Sequence, residues 1–196
     1  MKNLFLTICA VFALATINAQ EEAAAGFSKG DVFVSGTVGF TSSSQDDSKQ
    51  NNLNFSPSVG YFITENIAAE FGLIVGSNKI EQGEFERTIS DFGAALGANY
   101  FFTPSNRFSF VIGAGLSYVN TTDKEDGFED VKINTFAIAV APGINYFVSS
   151  NFALRASIGA LSYSSSKADF DGAEALNTFG LNLNLSDINF GVTYKF

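Results

Sequence analysis

Residues 186–196 read SDINFGVTYKF. Ile188, Phe190, Val192, Tyr194 and Phe196 fall on alternate positions, with Asn189, Gly191, Thr193 and Lys195 between them. Successive side chains of a strand point to opposite faces, so this stretch is a strand with one apolar and one polar face.

The same alternation recurs upstream. Val32, Val34, Val38 and Phe40 alternate with Phe33, Ser35, Thr37, Gly39 and Thr41, and Leu53, Phe55, Val59 and Tyr61 alternate with Asn54, Ser56, Ser58 and Gly60. Further runs begin at Ile67, Phe92, Phe108, Phe136 and Phe152; Leu96 and Ile112 fall near the middle of theirs. Pro57 sits in strand phase without an N–H to donate, which predicts a bulge or a local gap in pairing. In the last run Phe179, Leu181, Leu183 and Leu185 are odd while Ile188 to Phe196 are even, which predicts a one-residue bulge near Ser186 and Asp187.

Composition narrows the class. The chain of 196 residues has room for one domain. Its 22 Phe and 18 Gly, with no Trp and no His, suit many strands that expose rings, and exclude a disordered chain. A net charge of -9 argues against a nucleic-acid partner. Residues 1–20 carry Lys2, an apolar run and a short polar tail, the order of a cleaved signal peptide, and the run is too short to span a membrane as a helix. Ile8 precedes Cys9 and much of that run follows it, which argues against a lipid-anchored cysteine. The domain is then residues 21–196, opening with a polar lead-in, EEAAAGFSKG, of no evident purpose.

A weak repeat organises the middle. GYFITEN (60–66), NYFFTPSN (99–106) and NYFVSSN (145–151) each join a Tyr-Phe pair to a few turn residues and an Asn. They predict three short turns of one kind, with the Tyr and Phe forming an aromatic girdle. Residues 42–50, 77–87, 120–131 and 164–176 are polar and read as long loops. Short turns alternating with long loops is the asymmetry of a membrane barrel, and eight strands return the chain to its starting side.

The polar faces decide which medium each side meets. They carry Gly, Ser, Thr, Ala and Asn where a water-facing sheet normally carries Lys, Glu and Arg. Small residues fit the cramped bore of an eight-stranded barrel, whereas a soluble barrel would wet that face. The expected fold is all-β: an eight-stranded antiparallel up-and-down transmembrane β-barrel. With its terminal aromatic strand, the chain resembles the small outer-membrane β-barrels of the OmpA/OmpX type and the broad porin-family barrels of Gram-negative bacteria. The resemblance implies an outer-membrane location and contact with outer-membrane lipids and lipopolysaccharide; because the chain ends with the barrel, no appended peptidoglycan-binding domain is expected. It also implies that Phe190, Val192, Tyr194 and Phe196 are an assembly signal read by the barrel-insertion machinery. A monomer is expected.

Charges of inward phase stand out against this background. Glu70 and Arg155 each follow a turn Asn by the same spacing, which puts both about 13 Å above the turns by strand rise. They lie across the bore from each other and are expected to pair; Asp91 and Lys195, also of inward phase but nearer the loop and turn ends respectively, complete a lumen charge network. The alternatives are a polar plug and an ion path; the plug is favoured because an uncompensated charge in a narrow bore is costly.

Chemistry is sparse. Without His there is no general base of the usual kind, so no enzyme and no cofactor are expected. The run DKEDGFED (123–130) is rich in carboxylates but lacks the ligand spacing of a calcium loop, and no metal is assigned to it. The function expected is a non-enzymatic integral outer-membrane protein with a side-chain-filled lumen and acidic extracellular loops, in a structural or surface-interaction role. The alternative is a narrow channel for ions or very small solutes.

Overall fold

A computed structural model describes residues 25–182 and 188–196. The signal peptide expected at residues 1–20, with Cys9, and the bulge expected near Ser186 and Asp187 lie outside the described residues. Ten strand segments follow in order: β1 Val32–Gln45, β2 Ser48–Phe62, β3 Ile67–Gln82, β4 Phe85–Phe101, β5 Phe108–Glu125, β6 Val131–Phe147, β7 Phe152–Ile158, β8 Ala160–Ala168, β9 Leu176–Asn182 and β10 Ile188–Lys195. Only Gly159 separates β7 from β8, and both pair with β6, so they form one strand. In the same way β10 lies against β7 and β9 against β8. Each neighbour pair is antiparallel, and β1 against β10 closes the ring into an eight-stranded barrel.

The apolar set faces outward as an exposed belt including Val38, Phe40, Phe71, Phe92, Leu96, Leu116, Ile138, Leu154 and Phe190. From Phe92 to Phe102 the chain runs ~33 Å, which at a tilt of ~40° is a band roughly 25 Å tall, the thickness such barrels present to lipid. Leu96 is opposite Leu116 in mid-belt, whereas Ile112 is opposite Tyr100 and sits nearer the end that holds the termini. Above the belt each hairpin turns polar at one cross-strand pair: Ser42 with Asn51, Ser77 with Ser90, Asn120 with Asn134 and Ser165 with Asn177. Tyr118 and Tyr163 mark this border by donating their hydroxyls to Asn134 (2.8 Å) and Asn177 (3.0 Å).

Three expectations are corrected. The polar stretches read as long loops are mostly strand: β1 and β2 pair to within residues 46–47, and β3 and β4 to within residues 83–84. A backbone ladder needs no apolar face, and where both faces are wet the alternation that marks a strand disappears. The phase of the seventh strand also flips, at Gly159 (φ 62°), so that Leu161 and Tyr163 face out on odd positions after Leu154 on an even one. Gly159 is the extra residue of a bulge, a left-handed position that glycine takes without penalty. At Pro57 the register with β1 is unbroken and the register with β3 is the same on both sides, with Ser56 and Pro57 left out of that ladder; the result is a gap in pairing and not a bulge.

The third correction concerns the repeat. The turns at 63–66 and 148–151 are alike: Asn66 and Asn151 donate their side-chain amides to Phe101 O and Lys195 O, both at 2.8 Å, holding the neighbouring strand. Residues 102–107 differ, because Arg107 O takes the strand bond from Phe147 N and Asn106 N–H turns back to Thr103 O. Of each Tyr-Phe pair only Tyr61, Tyr100 and Tyr146 join the outer girdle; Phe62, Phe101 and Phe147 point inward with 0% exposure. Adjacent residues of a strand cannot share a face.

Candidate functional site

The inward phenylalanines build a floor. Phe33, Phe62, Phe101 and Phe147 surround Phe27, which the segment before β1 inserts from below. Ring centroids lie 4.6 Å (Phe27–Phe62) to 5.4 Å (Phe27–Phe101) from Phe27, in stacked, tilted and edge-on arrangements favourable to aromatic pairs. Phe27 N–H donates to Pro104 O at 2.7 Å, so the odd turn is the one that receives this strap. Gly26 (φ 145°) makes the docking possible, since a Cβ there would lie 2.4 Å from Ser105 O. Gly60 does the same for Phe33, whose ring occupies the place of a Cβ at 2.0 Å. The lead-in thus packs into the end of the barrel. Sequence reading missed it because a lone aromatic in a polar run carries no period.

Directly on this floor lies an ion pair. Arg155 Nη1 donates to Glu70 Oε2 at 2.9 Å across the bore. Glu70 also accepts from Ser58 Oγ (2.5 Å) and Asn99 Nδ2 (2.7 Å), so both its oxygens are held. The guanidinium carbon stands 5.3 Å from the Phe33 centroid and 5.6 Å from that of Phe101, against whose rings its remaining nitrogens are buried. Lys195 does not join this pair. It lies below, donating to Gly26 O at 2.6 Å, 3.9 Å from Asp31 and 5.7 Å from the Phe147 centroid, and fastens the strap to the closing strand. Asp91 lies above, accepting from Thr121 Oγ1 at 2.6 Å. The four charges therefore occupy three levels, and only Glu70 and Arg155 touch.

Above the pair the bore opens into a cavity of about 500 Å³ walled by Gly72, Ile74, Ala95, Gly115, Ala137 and Ala139. The lumen expected to be filled with side chains is filled only in its lower part, since Gly and Ala are too small to meet across it. On the outer face Phe190, Val192 and Phe196 are exposed, and the Tyr194 ring packs on Phe152 (4.9 Å) and Phe196 (5.1 Å). At the far end Arg87 pairs with Asp123 at 2.5 Å and Lys124 with Asp130 at 3.0 Å, so two carboxylates of the 123–130 run engage side-chain cations closely. The Arg87 guanidinium holds the Asp123 carboxyl below its ordinary pKa, through their hydrogen bonds first and their charges second.

An apolar belt outside, small residues inside and closure by an aromatic terminal strand meet in one family. The model of the outer membrane protein beta-barrel domain matches residues 7–196. The chain belongs to that family. It is an outer-membrane β-barrel, and its exposed belt is the surface it presents to lipid. Among solved structures it is similar to outer membrane protein OprG from Pseudomonas aeruginosa, with a TM-score of 0.55 at 14% identity over 87% of this chain and 98% of that one. Similarity extends to the N-terminal β-barrel domain of Pseudomonas aeruginosa OprF (TM-score 0.47, 16% identity, 87% of this chain and 100% of that one). It extends also to Neisserial surface protein A (TM-score 0.48, 19% identity, 84% and 97%). No curated protein matches the sequence. At these identities the likeness is one of fold.

Proposed function

We propose that this outer-membrane barrel is a non-enzymatic, monomeric cup, closed at the end that holds its termini and open to the outside at the other, with a surface-interaction role. The observation that carries this reading is the phenylalanine floor around Phe27, whose rings are buried beneath the Glu70–Arg155 pair. Export by a cleaved signal peptide at residues 1–20 brings the far end outside, and its acidic tips, among them Asp46, Asp47, Glu84, Asp126, Glu129 and Asp171, are then the extracellular face. Lys49, Lys79, Lys132 and Lys167 point outward one step above the Ser and Asn border, at the level of lipid headgroups, which supports contact with the phosphates of lipopolysaccharide. Lys79 is shared there with Glu81 (2.7 Å) and Glu86 (3.0 Å).

Purified protein in planar bilayers tests the closed floor: no stable unit conductance is expected, and a reproducible one overturns the reading. The second reading, a narrow channel for ions or very small solutes, is favoured by the cavity reaching down to Arg155, and conductance would choose it. Phe190, Val192, Tyr194 and Phe196 are assigned the assembly signal. Deleting Phe196 is expected to lower the heat-modifiable, membrane-assembled fraction without blocking export, and unchanged assembly at native expression removes that role.

A further inference from the structure

Immediately above the cavity, Asn54 of β2, Gly76 of β3 and Asp91 of β4 are cross-strand neighbours at one level. Gly76 leaves a notch between the other two. A methyl carbon built on it would lie 2.9 Å from Asp91 Oδ2 and 3.3 Å from Asn54 Oδ1. The aim of both oxygens is fixed from behind: Thr121 Oγ1 donates to Asp91 Oδ1 at 2.6 Å, leaving Oδ2 toward the notch, and Asn54 Nδ2 donates to Asn52 Oδ1 at 2.5 Å, leaving Oδ1 toward it. Among the described residues no ion pair reaches Asp91. The nearest cation on the same strand and face, Arg87, is engaged by Asp123 and Glu125. Below, Glu70 and Arg155 neutralise each other, so Asp91 is the uncompensated charge at the cavity mouth.

We infer that this notch and the cavity beneath it form a binding site for a small alkylammonium ion, its ammonium group held by Asp91 and Asn54 and its short apolar body lowered among Gly72, Ile74, Ala95 and Ala137. An ammonium has three donors, and Asp91 Oδ2 and Asn54 Oδ1, both left uncovered beside the side-chain-free Gly76, are acceptors for it. A divalent metal asks for six or more oxygens, and the notch offers two from side chains. An anion would meet the Asp91 carboxylate, and a neutral molecule would leave it uncompensated. The cavity, about 500 Å³, is of the size and mostly apolar character of small-molecule sites, and the acidic far end raises the local concentration of cations before they reach it.

This inference rests on the closed-cup reading, and the two fail differently. In lipid nanodiscs, n-butylammonium chloride is titrated against the full mature protein at constant ionic strength, with sodium butyrate and 1-butanol in parallel, and backbone amide shifts are followed. Saturable shifts at Gly72, Gly76, Asp91 and Ala95 are expected for butylammonium alone. Asp91→Asn, which keeps the shape, is expected to weaken binding at least tenfold. Gly76→Ala, which keeps the charge and fills the notch, is expected to weaken it similarly, and it carries the test if the first variant fails to assemble. Absence of saturable shifts, equal shifts with butyrate or butanol, or unchanged affinity in the variants overturns the site. Steady conductance in the same preparation would instead overturn the cup while leaving these titrations readable.

Discussion

Below Glu70 and Arg155 the bore is packed by interlocking rings from β1, β2, β4, β6 and the strap; above them, the same staves present Gly and Ala and leave a chamber. The same strands line both halves, so side-chain size separates a packed end from an open one. In the lower half every large group is fixed by several neighbours on different strands. In the upper half contacts run mostly between adjacent strands. The difference teaches where cooperativity resides, and four tests probe it.

The largest effect is expected at the junction of the halves. Glu70→Ala or Arg155→Ala strands a charge on an aromatic floor and is expected to cost on the order of 3–5 kcal/mol, with the double variant recovering part of the loss. Simple additivity in reversible urea unfolding would show that the pair is not coupled. Next, Leu96→Arg in mid-belt is expected to cost about 2–4 kcal/mol, Ile112→Arg less because it lies nearer the girdle, and Thr122→Arg above the polar border about 0–1 kcal/mol. A flat series would mean that the belt does not mark the lipid.

Two smaller probes compare the halves directly. Gly60→Ala drives a methyl into the Phe33 ring and is expected to cost about 1–3 kcal/mol by overpacking. Gly39→Ala, whose new carbon would be 3.9 Å from Asn54 Cβ, is expected to be nearly neutral. Equal costs, again by urea unfolding, would erase the distinction between a packed and an open half. The smallest effect is a pH dependence at the far end. Asp123 is depressed in the folded state, so its pairing with Arg87 contributes fully above the ordinary carboxylate pKa and is lost as pH falls through the lowered value. Because Arg87 is substantially exposed, solvent screens the pair and the contribution is small. Amide exchange near Asp123 is expected to quicken on acidification below the ordinary carboxylate range, and an exchange rate independent of that pairing, equal in Asp123→Asn, would refute the assignment.

The sequence was readable wherever one face met lipid and the other met the bore, since Phe92, Leu96 and Tyr100 against Asp91, Ala95 and Asn99 leave one solution. It was also readable, though easily overlooked, at the Tyr-Phe pairs and at Gly159, where period two forces an inward Phe and a phase flip. The tips of β1 to β4 were not, because Ser, Asp, Lys and Gln on both faces give no amplitude to read. The strap and the Asn54–Gly76–Asp91 notch were not either: each depends on residues far apart in sequence meeting at one level, which is set by register and not by local pattern.

The floor also has a bearing on how this barrel can vary in size. Its ring cluster is fitted to one circumference: Phe62 faces Ala68 and Phe147 faces Ala153 across their turns, large beside small, with Phe27 filling the centre. Barrel diameter grows roughly linearly with strand number, so duplicating a single hairpin would widen the ring beyond what one central phenylalanine can stopper. The aromatic stopper therefore acts as a gauge for the number of staves. A lineage carrying it can lengthen strands or vary the tips freely, but it can add a hairpin only by rebuilding the stopper in the same step or by becoming leaky.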